Sequence, residues 1–139
     1  MALSLVLSML ALPGMAQQWW ILTRSKDLKT GVTMNTNQVG SEEKHFVYLV
    51  FAVTGKQLDC FVDGAHGSSV KYRFESDDSY TNQKWNLSRN GTSLFYPGDC
   101  SKFFDRVCGS KKLEIEFQPS DSVPQTRTFR LTGFPVGSP

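Results

Sequence analysis

The feature that most constrains this chain is an alternation of apolar and polar residues with a period of two. Val70, Tyr72 and Phe74 alternate with Lys71, Arg73 and Glu75, and Leu113, Ile115 and Phe117 alternate with Lys112, Glu114 and Glu116. In a strand, successive side chains point to opposite faces, so each run reads as a strand with one face in a core and one in water. HFVYLVFAV at 45–53 is instead almost continuously apolar, as expected of a central strand covered on both sides. Between these runs lie turn signals: Thr54-Gly55-Lys56, GAHGSS at 64–69, SDDSYTN at 76–82 and Asn90-Gly91. Asn-Gly tolerates the positive φ of a tight hairpin turn. Trp85 and Leu87 on one side of it pair back against Leu94 to Tyr96 on the other. With further runs at 19–23, 32–36, 57–63 and 128–131, the spacing predicts seven to nine short strands. The expected fold is all-β, an antiparallel β-sandwich or a partly open barrel with one short helix.

That helix is expected after Pro97-Gly98-Asp99, where Asp99 can act as N-cap and Gly109 as a stop. Phe104, Val107 and Cys108 are read as its buried face. The strand-to-loop boundary of the second strand is placed at Thr36, with NQVGSEEK as a loop.

The chain has 139 residues, enough for one domain with its own core. Its first sixteen residues, MALSLVLSMLALPGMA, carry no charge, and Leu3 to Leu12 has the length of a signal-peptide apolar region. Gly14 and Ala16 stand at the small-residue positions of a cleavage site, so residues 1–16 are read as a signal peptide. A buried N-terminal helix is the competing reading. The remaining assignments are 17–134 as a single β domain and 135–139 as a loose tail. Export implies a periplasmic or secreted protein with no stable membrane span after signal removal, since spanning takes about 20 apolar residues. A formal charge of +2 is too small to indicate nucleic acid as a partner.

Three cysteines, Cys60, Cys100 and Cys108, make one disulfide plausible and leave one thiol over. A regular helix over 101–108 would hold Cys100 and Cys108 roughly 12 Å apart, too far for a bridge that needs Cα atoms within about 7 Å. An irregular crossover would let them join. The expectation adopted is a Cys100–Cys108 disulfide with the helix shortened or bent, and Cys60 buried as a small apolar residue.

Catalytic and metal chemistry find little support. The only imidazoles, His45 and His66, sit beside no recognisable nucleophile motif. Asp77-Asp78 lacks the alternating oxygen ligands of a calcium loop and reads as a solvated turn, and no metal or cofactor is expected. An enzyme would require His66 to lie near Asp63 or Asp78 with a nucleophile in a pocket. The more suggestive residues are basic and outward: Lys71 and Arg73 on one strand, Lys84 on the next and Arg130 on the last. If those strands are neighbours, the four form a positive stripe for an acidic partner, interrupted by Glu75 and Glu116. An ordinary mixed-charge sheet face is the competing reading.

The order of motifs resembles the TagO (also called VasI) family of small exported proteins associated with bacterial type VI secretion. The stretches that carry the resemblance are Trp20 with KDLKT at 26–30, YLVFAV at 48–53, VKYRF at 70–74, WNLSRNGTSLF at 85–95, KFFDRVCGSKKLEIEF at 102–117 and TFRLTGF at 128–134. They cover most of the chain after residue 16. The resemblance implies a non-enzymatic β domain that binds a protein partner in the envelope or secretion apparatus, as an accessory component of type VI secretion. It supplies no catalytic residues. The alternative is an inhibitor or ligand-binding module for an envelope enzyme or cell-wall glycan, with Trp19, Trp20 and Tyr80 lining a cleft.

Overall fold

The computed structural model describes residues 20–26, 33–43, 46–117 and 123–133. The expected signal peptide at 1–16, Trp19, His45 and the tail at 135–139 lie outside the described residues. The strands are β1 (Trp20–Lys26), β2 (Thr33–Gly40), β3 (Tyr48–Thr54), β4 (Gln57–Asp63), β5 (Ser69–Phe74), β6 (Thr81–Lys84), β7 (Asn86–Leu87), β8 (Ser93–Phe95), β9 (Lys112–Phe117) and β10 (Gln125–Arg130). Among the described residues one helix, α1 (Cys100–Cys108), lies between β8 and β9. The strands form two antiparallel sheets, a six-stranded one in the order β1-β2-β3-β4-β8-β7 and a four-stranded one in the order β10-β9-β5-β6. This is the sandwich-like, mostly β, antiparallel architecture that the alternation predicts.

The alternating runs become the inner faces. Val70, Tyr72 and Phe74 of β5 and Leu113, Ile115 and Phe117 of β9 are all buried, and the register sets Tyr72 against Ile115. β3 has four consecutive buried residues, Leu49 to Ala52. Leu49 and Phe51 belong to the core between the sheets. Val50 lies on the other face and pairs with Phe61, whose ring stacks on Phe95 at 4.6 Å. Two layers of apolar contact therefore explain why the run is unbroken.

Trp20 ties the sheets together at one end. Its ring is buried, sits 6.2 Å from that of Phe51, and its indole N–H donates to the Leu131 carbonyl at 2.9 Å. Two tight backbone positions fix the β7–β8 end. Gly91 has φ 76°, and its N–H donates to the Ser88 carbonyl at 3.0 Å, which closes the Asn90-Gly91 turn. Gly64 has φ 91°, and a Cβ there would stand 2.7 Å from the Phe46 carbonyl oxygen. Only glycine fits that approach.

Four expectations need correction. β2 continues to Gly40, because Val39 is fully buried between Trp20 and Leu49 in the register, so Asn37 to Gly40 is strand and not loop. Trp85 is buried but lies in no strand. It stands where the chain leaves β6 in one sheet and enters β7 in the other, so Trp85 and Leu87 do not belong to one strand that pairs back against Leu94 to Tyr96. Leu87 shares the side of Leu94 but sits on the edge strand of its sheet and is 47% exposed. Helix α1 is regular over nine residues, capped by Asp99, whose carboxylate accepts the Ser101 and Lys102 N–H groups. Its buried face is Phe103 and Val107, with Cys100 and Phe104 half-buried and Cys108 exposed. Cys100 and Cys108 thus occupy opposite ends of a straight helix, roughly 12 Å apart, and cannot join. All three cysteines are free thiols.

Candidate functional site

The four basic residues singled out in the sequence do share the outer face of the four-stranded sheet. Inward Val70 and Tyr72 leave Ser69, Lys71 and Arg73 facing out from β5, and the β5–β6 register sets Lys84 beside Ser69 and Asn82 beside Lys71. Across β9, Lys71 faces Glu116 and Arg73 faces Glu114, while Arg130 of β10 stands beside Lys112. The stripe is therefore broken by carboxylates, Glu114 among them, which the sequence reading did not count.

Two of the four charges are matched. Arg73 pairs with Glu114 at 3.1 Å, its guanidinium 5.3 Å from the centre of the Tyr80 ring. Tyr80 donates its hydroxyl to the same Glu114 oxygen at 2.8 Å. That bond, and then the one from Arg73, holds the Glu114 carboxyl below its ordinary value although partial burial opposes it. The Tyr80 hydroxyl is correspondingly pushed up. Arg130 pairs with Glu42 at 3.3 Å, a residue in the turn after β2. Lys71 and Lys84 differ: among the described residues no carboxylate lies within ion-pair distance of either. Both line a concavity of about 300 Å³ with Asn82, Gln83 and Glu116, at the end of the sheet where β5 begins and β9 ends. β6 is the edge strand there, and among the described residues nothing pairs with its other side.

A second cluster, not anticipated, ties α1 to the turn after β5. Arg106 lies over the Phe74 ring at 4.2 Å and forms an ion pair with Asp77. Asp77 also accepts the Phe74 N–H at 3.1 Å, and that bond, followed by Arg106, draws its carboxyl below the ordinary 3.8 despite partial burial. Asp77 is thus a structural turn residue, a role that Asp fills through its short acceptor side chain. Glu75 is a parallel case. Burial raises its carboxyl, but hydrogen bonds from the backbone, including the Lys111 and Lys112 N–H groups, outweigh this and lower it.

A folded-state value below the unfolded one means that stability is present above the ordinary carboxylate range and is lost as pH falls through the folded value. Asp77→Asn is expected to lower stability at about pH 7, where the wild type has its charged pair, and to flatten the loss on acidification by up to about one proton. Urea midpoints of both proteins measured from about pH 7 down to about pH 2.5 check this. Parallel curves would show that Asp77 is not held low.

Among the described residues, Asp63, His66 and Ser93 are not linked as a triad. Ser93 donates its hydroxyl to Asp63 at 2.8 Å, and His66 Nδ1 is 2.9 Å from the Gly91 carbonyl. In a nucleophilic triad the hydroxyl gives to the imidazole and the imidazole to the carboxylate. Asp59 accepts from the Gln57 amide at 3.1 Å. Among the described residues no group of three or more His, Cys, Asp or Glu is placed to hold a metal ion. Two of the three aromatic residues expected to line a cleft stand apart: Trp20 is in the core, bonded to Leu131, while Tyr80 lies on the outer face of the other sheet, and Trp19 is outside the described residues. Among the described residues no helix is long and apolar enough to cross a membrane.

No family model, curated protein or solved structure matches this chain.

Proposed function

We propose that this chain is an exported, non-enzymatic β-sandwich domain that binds an acidic protein partner in the bacterial envelope, as an accessory of type VI secretion. The observation that carries this reading is the Lys71–Lys84 corner. Among the described residues, two lysines on adjacent strands lack carboxylate partners, flank a concavity of about 300 Å³, and stand beside an edge strand with nothing paired to its other side. An extended segment can add to such an edge by backbone hydrogen bonds, with its acidic side chains reaching the lysines. Arg73 and Arg130, already paired, contribute shape more than free charge. The apolar leader at 1–16 and the resemblance described above support the compartment and the system.

The test is capture of the tagged protein from envelope extracts, with the Lys71→Glu/Lys84→Glu variant alongside. The expected result is recovery of a secretion-apparatus subunit, in salt-sensitive fashion, with affinity for the variant lower by about tenfold or more. Equal recovery by the variant would remove this surface from the argument. Enrichment of a lytic enzyme instead would favour an inhibitor.

A further inference from the structure

We propose that Cys60 and Cys100 form a disulfide pair, joining the centre of β4 to the first residue of α1 when the folded protein meets a disulfide donor. Cys60 lies on the inner face of β4, 1% exposed, opposite Phe51 in the register. Its carbonyl accepts the Tyr96 N–H at 3.0 Å, which anchors the chain leaving β8 beside it. From Tyr96 the chain needs only Pro97, Gly98 and Asp99 to reach Cys100 and open the helix. The helix then packs on β4, and the Phe51 ring meets both Phe103 at 6.3 Å and Phe104 at 4.9 Å. Cys100 is half-buried against the same cluster that holds Cys60. Both thiols are free and stand short of bonding distance, so the bond needs only a local approach of two side chains packed in one cluster; burial first, and then the Cys100 thiol, raises the pKa of Cys60. Cys108 points to solvent at the far end of the helix and has no such neighbour among the cysteines.

The exposures also set the order of the chemistry. Cys100, the accessible thiol, loses its proton and attacks one sulfur of a low-molecular-weight disulfide such as oxidised glutathione, releasing one glutathione thiol. Cys60 then gives up its proton and attacks the Cys100 sulfur of the mixed disulfide, and the second glutathione leaves as thiol. The protein loses two hydrogens and two electrons, and the donor disulfide gains them. Cys108 can take up glutathione but has no cysteine within reach to displace it.

Trypsin separates the three cysteines into peptides 57–71, 90–102 and 107–111, so the pairing can be read directly. Purified, folded protein is equilibrated with oxidised glutathione, its remaining thiols are alkylated, and it is digested without reductant. The expected product is 57–71 linked to 90–102, lighter than the sum of the two by two hydrogens, with 107–111 alkylated or glutathionylated. A Cys108→Ser variant should give the same linked pair. Because the bond closes a loop of roughly 40 residues, the thermal midpoint should rise by on the order of ten degrees on oxidation, and Cys100→Ser should abolish the rise. Cys60 recovered unlinked, a crosslink that includes 107–111, or a midpoint that falls on oxidation would each overturn the assignment.

Discussion

Phe103→Ala is expected to destabilise the protein by about 3–5 kcal/mol, the range for deleting a large aromatic from a packed core. Phe103 is the side chain through which α1 fills the space between the sheets. Its ring stacks on Tyr96 at 4.4 Å and meets Tyr72 at 5.7 Å, Phe74 at 5.9 Å, Trp85 at 6.1 Å and Phe51 at 6.3 Å. Those neighbours come from both sheets and from the crossover between them, so no single element can move in to close the cavity. The same enclosure pushes the Tyr96 hydroxyl up to about 12, burial being the main cause. Urea unfolding measures the effect. The control is Phe104→Ala on the same helix: Phe104 is only half-buried, and its loss should cost about half as much or less. A Phe104 variant that proves the more damaging would restore the Phe104–Val107–Cys108 face expected from the sequence.

The contrast between those two phenylalanines shows where the sequence is readable and where it is not. Alternation with a period of two has only two phases, and in β5 and β9 the charged residues leave one choice. A nine-residue helix with adjacent Phe103 and Phe104 has no such unambiguous phase, and Cys108, apolar by type, drew the face round by one position. Cys100, Phe103, Phe104 and Val107 do follow the i, i+3, i+4, i+7 spacing, which was the signal available. The basic residues were legible as outward-facing for the same period-two reason. Their partners were not, because Arg130 meets Glu42 across 88 positions of chain and Arg73 meets Glu114 across 41. Whether a surface charge is matched or open depends on strand order, and that order is non-sequential in both sheets. That Cys60 and Cys100 belong to one packed cluster was hidden for the same reason.

Trp85→Ala is expected to have an effect of the same size, about 3–5 kcal/mol, which lowers the thermal midpoint of a domain this long by roughly ten degrees or more. Trp85 is 1% exposed although it belongs to no strand. Its N–H donates to the Ser68 carbonyl at 2.8 Å, which holds the chain to the four-stranded sheet for one more residue before it crosses. Its indole N–H donates to Gln83 at 3.1 Å, and the ring meets Tyr96 at 5.4 Å, Tyr72 at 6.0 Å and Phe103 at 6.1 Å in edge-on contacts. The ring thus sits where β6 passes to β7, the most direct of the crossings between the two sheets, with a single residue between the strands. Trp85→Phe keeps most of the apolar volume but loses the indole donor, so it should cost less than the alanine change. Because Trp85 and Phe103 touch, their alanine variants empty one shared space. The double variant should therefore lose less than the sum of the singles, by about 0.5–3 kcal/mol of coupling. Strict additivity would separate the crossover from the helix contact, and a Trp85→Ala midpoint within a degree or two of wild type would take this ring out of the core altogether.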